Sequence, residues 1–306
     1  MFLKQRTIKN EISVRGIGLH QGRSVGMKLY PAAANNGITF KRTDINQTFI
    51  LNASNVIHTP LCTVLRANQH TLSTTEHFMA ALSSLGIDNL YVEVDGPELP
   101  ILDGSSLPFL IILNQAGINE LNAAKKYIRV KESVQVKDGD KWAQIVPYDG
   151  FKVCFEIDFE HPAISSSNQE MSYELTPNSF YKELSRARTF GFMKDIEYLH
   201  ANNLALGGSI DNAILLDNYR VINQSGLRYN DEFVRHKVLD SIGDLYMQGH
   251  QLLGCFSAYK SGHALNNMLL TKLLNTASAW EYVTIEDCIP NPEEAWDMDV
   301  GLITVQ

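Results

Sequence analysis

From the start of the chain to about Leu72, apolar and polar residues alternate between Gly and Asn punctuation, as in Val25-Gly26-Met27-Lys28-Leu29-Tyr30 and Gly37-Ile38-Thr39-Phe40-Lys41. A period of two sends successive side chains to opposite faces, so these segments predict antiparallel strands. The pattern then changes. Hydroxyls at Thr74 and Thr75 precede an apolar-rich stretch that ends at Leu85 before Gly86, which predicts a helix with a capped start and a glycine stop. Asn89 to Val94 predicts a strand. The loop Gly96-Pro97-Glu98-Leu99-Pro100 leads through Asp103-Gly104-Ser105-Ser106 to a second apolar helix ending near Gln115.

Asn122 to Lys126 lacks a clean period, and new strand patterns begin after it. This is the predicted boundary between an N-terminal unit (1–124) and a C-terminal unit (125–286). The second unit repeats the plan: strands from Tyr127 to Phe159, a helix from about Asp231 to Met247, a strand from Leu252 to Tyr259, the loop Lys260-Ser261-Gly262, and a helix from about Ala264. Setting His77 against His236 and Gly104 against Gly262 gives offsets of 159 and 158 residues. Strands preceding a pair of packed helices predict an α+β fold of two similar domains. Each is a mainly antiparallel sheet with two helices and a small insert.

Length and composition narrow the function classes. At 306 residues the chain suits two modest domains, and 44% apolar with 20% charged residues marks it as globular. The net charge of −8 supplies no attraction for phosphate polymers, which argues against nucleic-acid binding. Lys4, Arg6 and Lys9 stand where a secretory signal needs an unbroken apolar core. No run approaches the roughly 18 apolar residues of a bilayer span, so any membrane contact is expected to be peripheral. Cys62, Cys154, Cys255 and Cys288 are scattered, as expected of reduced thiols in a cytoplasmic monomer.

The strongest local signal is His236-Lys237-Val238-Leu239-Asp240 followed by Asp244. Spacings of four place His236, Asp240 and Asp244 along one side of a helix, with Val234, Val238, Ile242 and Leu245 roughly opposite. A His and a carboxylate one turn apart can reach one ion, and nitrogen plus oxygen donors suit Zn²⁺ or a similar divalent metal. A solvated charged face is the ordinary alternative. Thr74-Thr75-Glu76-His77 is the second signal, although a Glu at a helix start also satisfies the helix dipole and His77 suits a hydrogen-bonded core position. If the two helices face each other across the domain junction, His77, His236 and Asp240 form a three-ligand set with an open position, the shape of a catalytic zinc site.

His263, after a small-residue loop, is placed to act as an imidazolium with Asp244 as its partner, unless it is only a helix cap. Gly16-Ile17-Gly18-Leu19-His20 lacks the strand-to-helix setting of a phosphate cradle, which excludes a Rossmann reading. Residues 189–217 read as strand, short helix and strand. Their small residues either belong to a satellite core or leave room beside Phe192, Met193 and Ile196 for an alkyl chain.

The segments Gly16–His20, Ser73–His77, Pro100–Ser105, Ser185–Phe192, Phe233–Lys237 and Lys260–Asn267 occur in order. Through them the sequence closely resembles the zinc-dependent UDP-3-O-acyl-N-acetylglucosamine deacetylases of Gram-negative bacteria, which commit the pathway to lipid A. The match runs from about Lys4 to Thr284. The resemblance implies one Zn²⁺ held by His77, His236 and Asp240, with Glu76 as general base. Thr189 would bond the oxyanion, His263 would serve as imidazolium, and Asp244 and Lys237 would tune that environment. The acyl chain would run along Phe192, Met193, Ile196, Ala205, Gly208, Ser209, Ala213 and Leu215 with Leu19 at the entrance, and Lys141, Phe159, His161 and Lys260 are candidates for the sugar and nucleotide. The substrate implied is an acylated UDP-sugar that loses its N-acetyl group as acetate. The Pro-punctuated acidic tail, 287–306, matches no motif. A non-catalytic binder of nucleotide sugars or acyl chains, and an amidohydrolase of a different acylated amide, are the competing functions.

Overall fold

The computed structural model describes residues 1–57 and 61–288; the tail beyond 288 lies outside the described residues. The strand patterns of the first half fold into a five-stranded sheet ordered Ile12–Ile17, Ser24–Pro31, Leu90–Val94, Ile38–Arg42, Gln47–Ile50. Its alternation is carried into the core. Val25, Met27 and Leu29 are buried on one strand, and Leu29 lies opposite Val92, which pairs with Phe40 on the far side. Helices α1 (Glu76–Leu85) and α2 (Leu107–Ala116) cover that face, with the Phe78 ring 6.3 Å from Phe40 and 5.3 Å from Phe109. α1 stops where expected, at Gly86, whose φ of 65° is the left-handed conformation glycine adopts freely.

The second half repeats this arrangement strand for strand. Val134–Asp138, Lys141–Val146, Gln251–Tyr259, Phe151–Glu156 and Glu170–Glu174 adjoin in that order, with Tyr127–Val130 and Trp280–Val283 extending the sheet to seven strands. In both sheets the first three strands are antiparallel, the third pairs in parallel with the fourth, and the fifth returns antiparallel. The long helices of this half, Glu232–Leu245 and His263–Asn275, flank the central strand as α1 and α2 flank theirs. With the intervening helix Ile196–Ala201 taken as α3, they are α4 and α5. The fold is thus α+β, with antiparallel pairing dominant.

Each half carries one insertion before its first long helix. In the first it is a three-stranded sheet (Val56–Ile57, Val64–Ala67, His70–Leu72). In the second it is the parallel pair Phe190–Phe192 and Ile214–Leu216 with α3 between them. Ile118–Ala124 forms a strand that reaches into the segment without a clean period. It pairs with Lys4–Ile8 in a two-stranded sheet, where little burial constrains its pattern. Helices α1 and α4 pack closely: a Cβ on Gly243 would stand 2.0 Å from the Glu76 carbonyl oxygen, so only glycine permits this approach. The polar side of α4 is therefore covered, and His236, Asp240 and Asp244 are 1%, 3% and 1% exposed. A solvated charged face is excluded.

Candidate active site

The α1–α4 contact brings the predicted ligands together. His77 comes from the first turn of α1 and His236 and Asp240 from successive turns of α4, and one ligand atom from each lies within 4.8 Å of the others. Asp240 Oδ1 faces His77 Nε2 at 3.4 Å and His236 Nε2 at 3.3 Å and has no hydrogen-bond partner. Burial lowers the His236 pKa to about 3, so its ring is neutral. Its Nδ1 lies 3.0 Å from the Ala187 carbonyl, which assigns the proton to Nδ1 and turns the Nε2 lone pair toward Asp240. Lone pairs converging in a buried space repel one another unless a cation sits between them, so this donor set fits a divalent metal. Lys237 Nζ donates to Asp240 Oδ2 at 2.7 Å, which leaves Oδ1 as the coordinating oxygen.

Two further groups face the same space. Glu76, 3% exposed, has Oε1 at 3.9 Å from His263 Nε2, and burial raises its pKa. His263 opens α5, and its Nδ1 lies 3.0 and 3.1 Å from the Asp244 carboxylate oxygens. Burial alone would discharge this imidazole, yet Asp244 and then Glu76 outweigh it and raise the pKa to about 9. The site therefore holds one neutral histidine poised as a ligand and one charged histidine poised as a donor.

Thr189 is half-buried at the edge of the insert. Its N–H donates to the Gly104 carbonyl at 2.9 Å and its own carbonyl accepts from Ile214 at 2.8 Å. Gly104 has a φ of 81°, and a Cβ there would meet the Asn212 carbonyl oxygen at 2.0 Å, so glycine is required for the loop to reach this position. Arg188 grips Glu232, in the first turn of α4, with Nε at 2.9 Å and Nη2 at 3.1 Å. That clamp holds 187–189 against the helix and so sets both the Ala187 carbonyl and Thr189.

The apolar candidates adjoin this edge. Phe190 links the His236 ring (6.5 Å) to Phe159 (5.6 Å), and Phe192 lies 6.0 Å from Phe159 and 5.5 Å from His161. A cavity of about 410 Å³ is lined here by Phe159, His161, Phe192 and Lys194 among others. Leu19 contributes its carbonyl to Gly207 N–H at 2.9 Å and lies beside Gly208 and Ala205. Ala213 is buried, Ile196, Ser209 and Leu215 are half-buried, and Met193 is 44% exposed. Of the nucleotide candidates, Lys260 is engaged by Asp140 and Asp158 at 2.9 and 3.1 Å, and Lys141 is exposed at the start of its strand.

Several supporting residues carried no separate sequence signal: Thr63, Asn266, Arg188 and Glu232. Backbone conformation points to the same place. Among the described residues with positive φ that are not glycine, four are asparagines, which tolerate it. The other four, Thr74 (59°), Leu102 (56°), Ala205 (55°) and Lys260 (54°), all lie in segments flanking the site. Such conformations cost about 1–3 kcal/mol each and persist where surrounding structure imposes them. Thr74 turns the chain so that Glu76 begins α1.

The sequence profile of the family described as UDP-3-O-acyl N-acetylglycosamine deacetylase matches residues 5–275. A protein of Idiomarina loihiensis named UDP-3-O-acyl-N-acetylglucosamine deacetylase is 56% identical over 288 residues, 93% of this chain and 94% of the relative. One of the same name from Pseudoalteromonas translucida is 55% identical over 293 residues, 95% of this chain and 97% of the relative.

Proposed function

The chain belongs to the UDP-3-O-acyl N-acetylglycosamine deacetylase family, and on that premise we propose how its residues divide the reaction. The protein is a hydrolase of lipid A biosynthesis that removes the acetyl group from the amide of an acylated UDP-sugar. The observation that carries the residue assignment is the convergence of His77, His236 and Asp240 on one point, with Glu76 beside them.

We assign the metal as Zn²⁺, one per chain, held by those three side chains. Bound there, zinc supplies Lewis acidity, polarising a carbonyl and lowering the pKa of a water from about 15.7 toward about 7. Glu76 accepts the proton of the attacking water, and its burial makes it a stronger base than an exposed carboxylate. Attack leaves negative charge on the former acetyl oxygen, which Thr189 and the His263 imidazolium stabilise. One preorganised donor of this kind is worth about 3 kcal/mol. Nitrogen must be protonated before it leaves, and His263 or Glu76 supplies that proton. Asp244 keeps His263 charged and oriented, and Lys237 holds Asp240 in its coordinating rotamer.

The acyl chain is assigned to the surface from Leu19 along Ala205, Gly208 and Ser209 to Phe192, Met193, Ile196, Ala213 and Leu215, with Phe159, His161, Lys141 and Lys260 toward the sugar and nucleotide. The division into domains 1–124 and 125–286, a monomeric state, the cytoplasmic compartment and peripheral membrane contact belong to the same proposal. No helix of the described residues is long and apolar enough to cross a membrane. Metal analysis of the purified protein together with acetate release from the acylated UDP-sugar tests the assignment. The expected result is one zinc per chain and activity that disappears on chelation and in Glu76→Ala. Activity surviving both would refute it, and binding of substrate without turnover would favour a non-catalytic carrier.

A further inference from the structure

Thr63 lies just before the strand Val64–Ala67 of the first-half insert and is 3% exposed. Its N–H donates to Glu76 Oε2 at 3.0 Å, its hydroxyl donates to Asp244 Oδ1 at 2.5 Å, and its carbonyl accepts from the Thr75 hydroxyl at 3.3 Å. One residue thus bonds two carboxylates on different helices: the base on α1, and the partner of His263 on α4.

The bonds are directional. With Oε2 tied to Thr63, Oε1 is the oxygen of Glu76 that faces His263 Nε2. Asp244 is held from both ends, since Oδ1 takes the Thr63 hydroxyl and Oδ2 takes the Asn266 amide at 2.9 Å, and that amide is itself fixed by the Ser261 hydroxyl at 2.7 Å. A carboxylate bonded at each oxygen cannot rotate about its last torsion, and His263 Nδ1 is then presented with both oxygens at nearly equal distance. Hydrogen bonds to ionised acceptors are roughly twice as strong as neutral ones.

We infer that Thr63 is a positioning residue of the deacetylase reaction, its backbone N–H aiming Glu76 and its hydroxyl aiming His263 through Asp244. The inference rests on the roles proposed above for Glu76, Asp244 and His263. Thr63→Val removes the hydroxyl and keeps the β-branch and the backbone bond to Glu76. The expected result is a fall in kcat of about ten- to hundredfold, equivalent to about 1.4–2.8 kcal/mol, with KM within about twofold. Thr63→Ser restores kcat to within about threefold of wild type. In an Asp244→Asn background the same Thr63→Val change alters kcat by less than about threefold, because the hydroxyl acts through that carboxylate. If the Val variant does not fold, Thr63→Ala takes its place in the cycle.

A Val variant with wild-type kcat, a Ser variant no better than Val, or an undiminished additional loss in the Asp244→Asn background would each overturn the inference. His263→Gln run alongside separates the two levels. If that variant keeps full activity, the catalytic assignment itself has failed; if it is impaired while Thr63→Val is not, only the role of Thr63 is wrong.

Discussion

Helices α1 and α4 hold equivalent places in the two halves yet are built from opposite materials. α1 is buried along all ten residues and charged or ionisable only at the site, at Glu76 and His77, with Phe78, Met79, Ala80, Ala81 and Leu82 filling the core behind them and the small hydroxyls of Ser83 and Ser84 near its end. α4 buries a charged or polar row with a period of four, Glu232, His236, Asp240 and Asp244, flanked by Lys237. Burying an ion costs several kcal/mol unless it is paired and hydrogen-bonded. Every member of the row meets that condition: Glu232 with Arg188, His236 with the Ala187 carbonyl, Asp240 with Lys237, and Asp244 with Thr63, Asn266 and His263. One helix slot can therefore serve as plain core or as a rail of ligands. What differs is the ring of partners around it, supplied by the segment 187–188 leading into the second insert, by Thr63 of the first half, by Lys237 of α4 itself and by the helix that follows.

The comparison breaks most plainly at the metal. His77→Ala on α1 and His236→Ala on α4 are expected to abolish metal content and acetate release alike, measured by elemental analysis and product assay. A variant of either helix that keeps full activity with its metal would mean that only one half holds the ion. Next in size is His263→Gln, expected to lower kcat by about 10²–10³-fold. The imidazole has its pKa raised from 6.5 to about 9, so its charge is complete at low pH and is lost as pH rises through about 9. Wild-type kcat should therefore fall on that alkaline side and the Gln variant should lack the limb. The same sign governs stability: the pairing with Asp244 contributes fully below about 6.5 and vanishes above about 9, so urea midpoints should drop over that range more in wild type than in the variant.

Gly243→Ala sharpens the packing side of the contrast. Forcing a methyl group against the Glu76 carbonyl should destabilise by about 1–3 kcal/mol in denaturant titration and weaken metal binding, because it pushes the two helices apart. The smallest effect expected is from Phe192→Ala, which should raise KM about tenfold for a long-chain substrate and leave a short-chain analogue unchanged. Equal effects on both chain lengths would remove the insert from acyl recognition.

Much of this was legible in the chain. Gly86 ends α1, the period of two gives the strands, and the offset of 159 residues between His77 and His236 anticipates two copies of one strand-helix unit, while the shared strand order and sense of the two sheets emerge only in the structure. The convergence of His77, His236 and Asp240 follows from spacing once the helices face each other, and Asp244 as partner of His263 follows from residue type. Periodicity could separate the two sides of α4 but not reveal that a second helix covers the polar one, because that depends on Gly243 meeting a backbone 167 positions away in sequence. Thr63 was invisible for a similar reason: its partners are 13 and 181 residues distant. Nor do Thr74, Leu102 and Lys260 announce left-handed backbone, which glycine or asparagine would have signalled.

His77 belongs to a helix of the first half and His236 with Asp240 to a helix of the second, so an ion gripped by all three also rivets the halves together. A species that binds only the folded chain stabilises it by about 4 kcal/mol at a thousandfold excess over its dissociation constant. If the three side chains hold the ion as proposed, its removal takes that contribution away, so the metal-free chain is expected to unfold at lower urea than the metal-bound one.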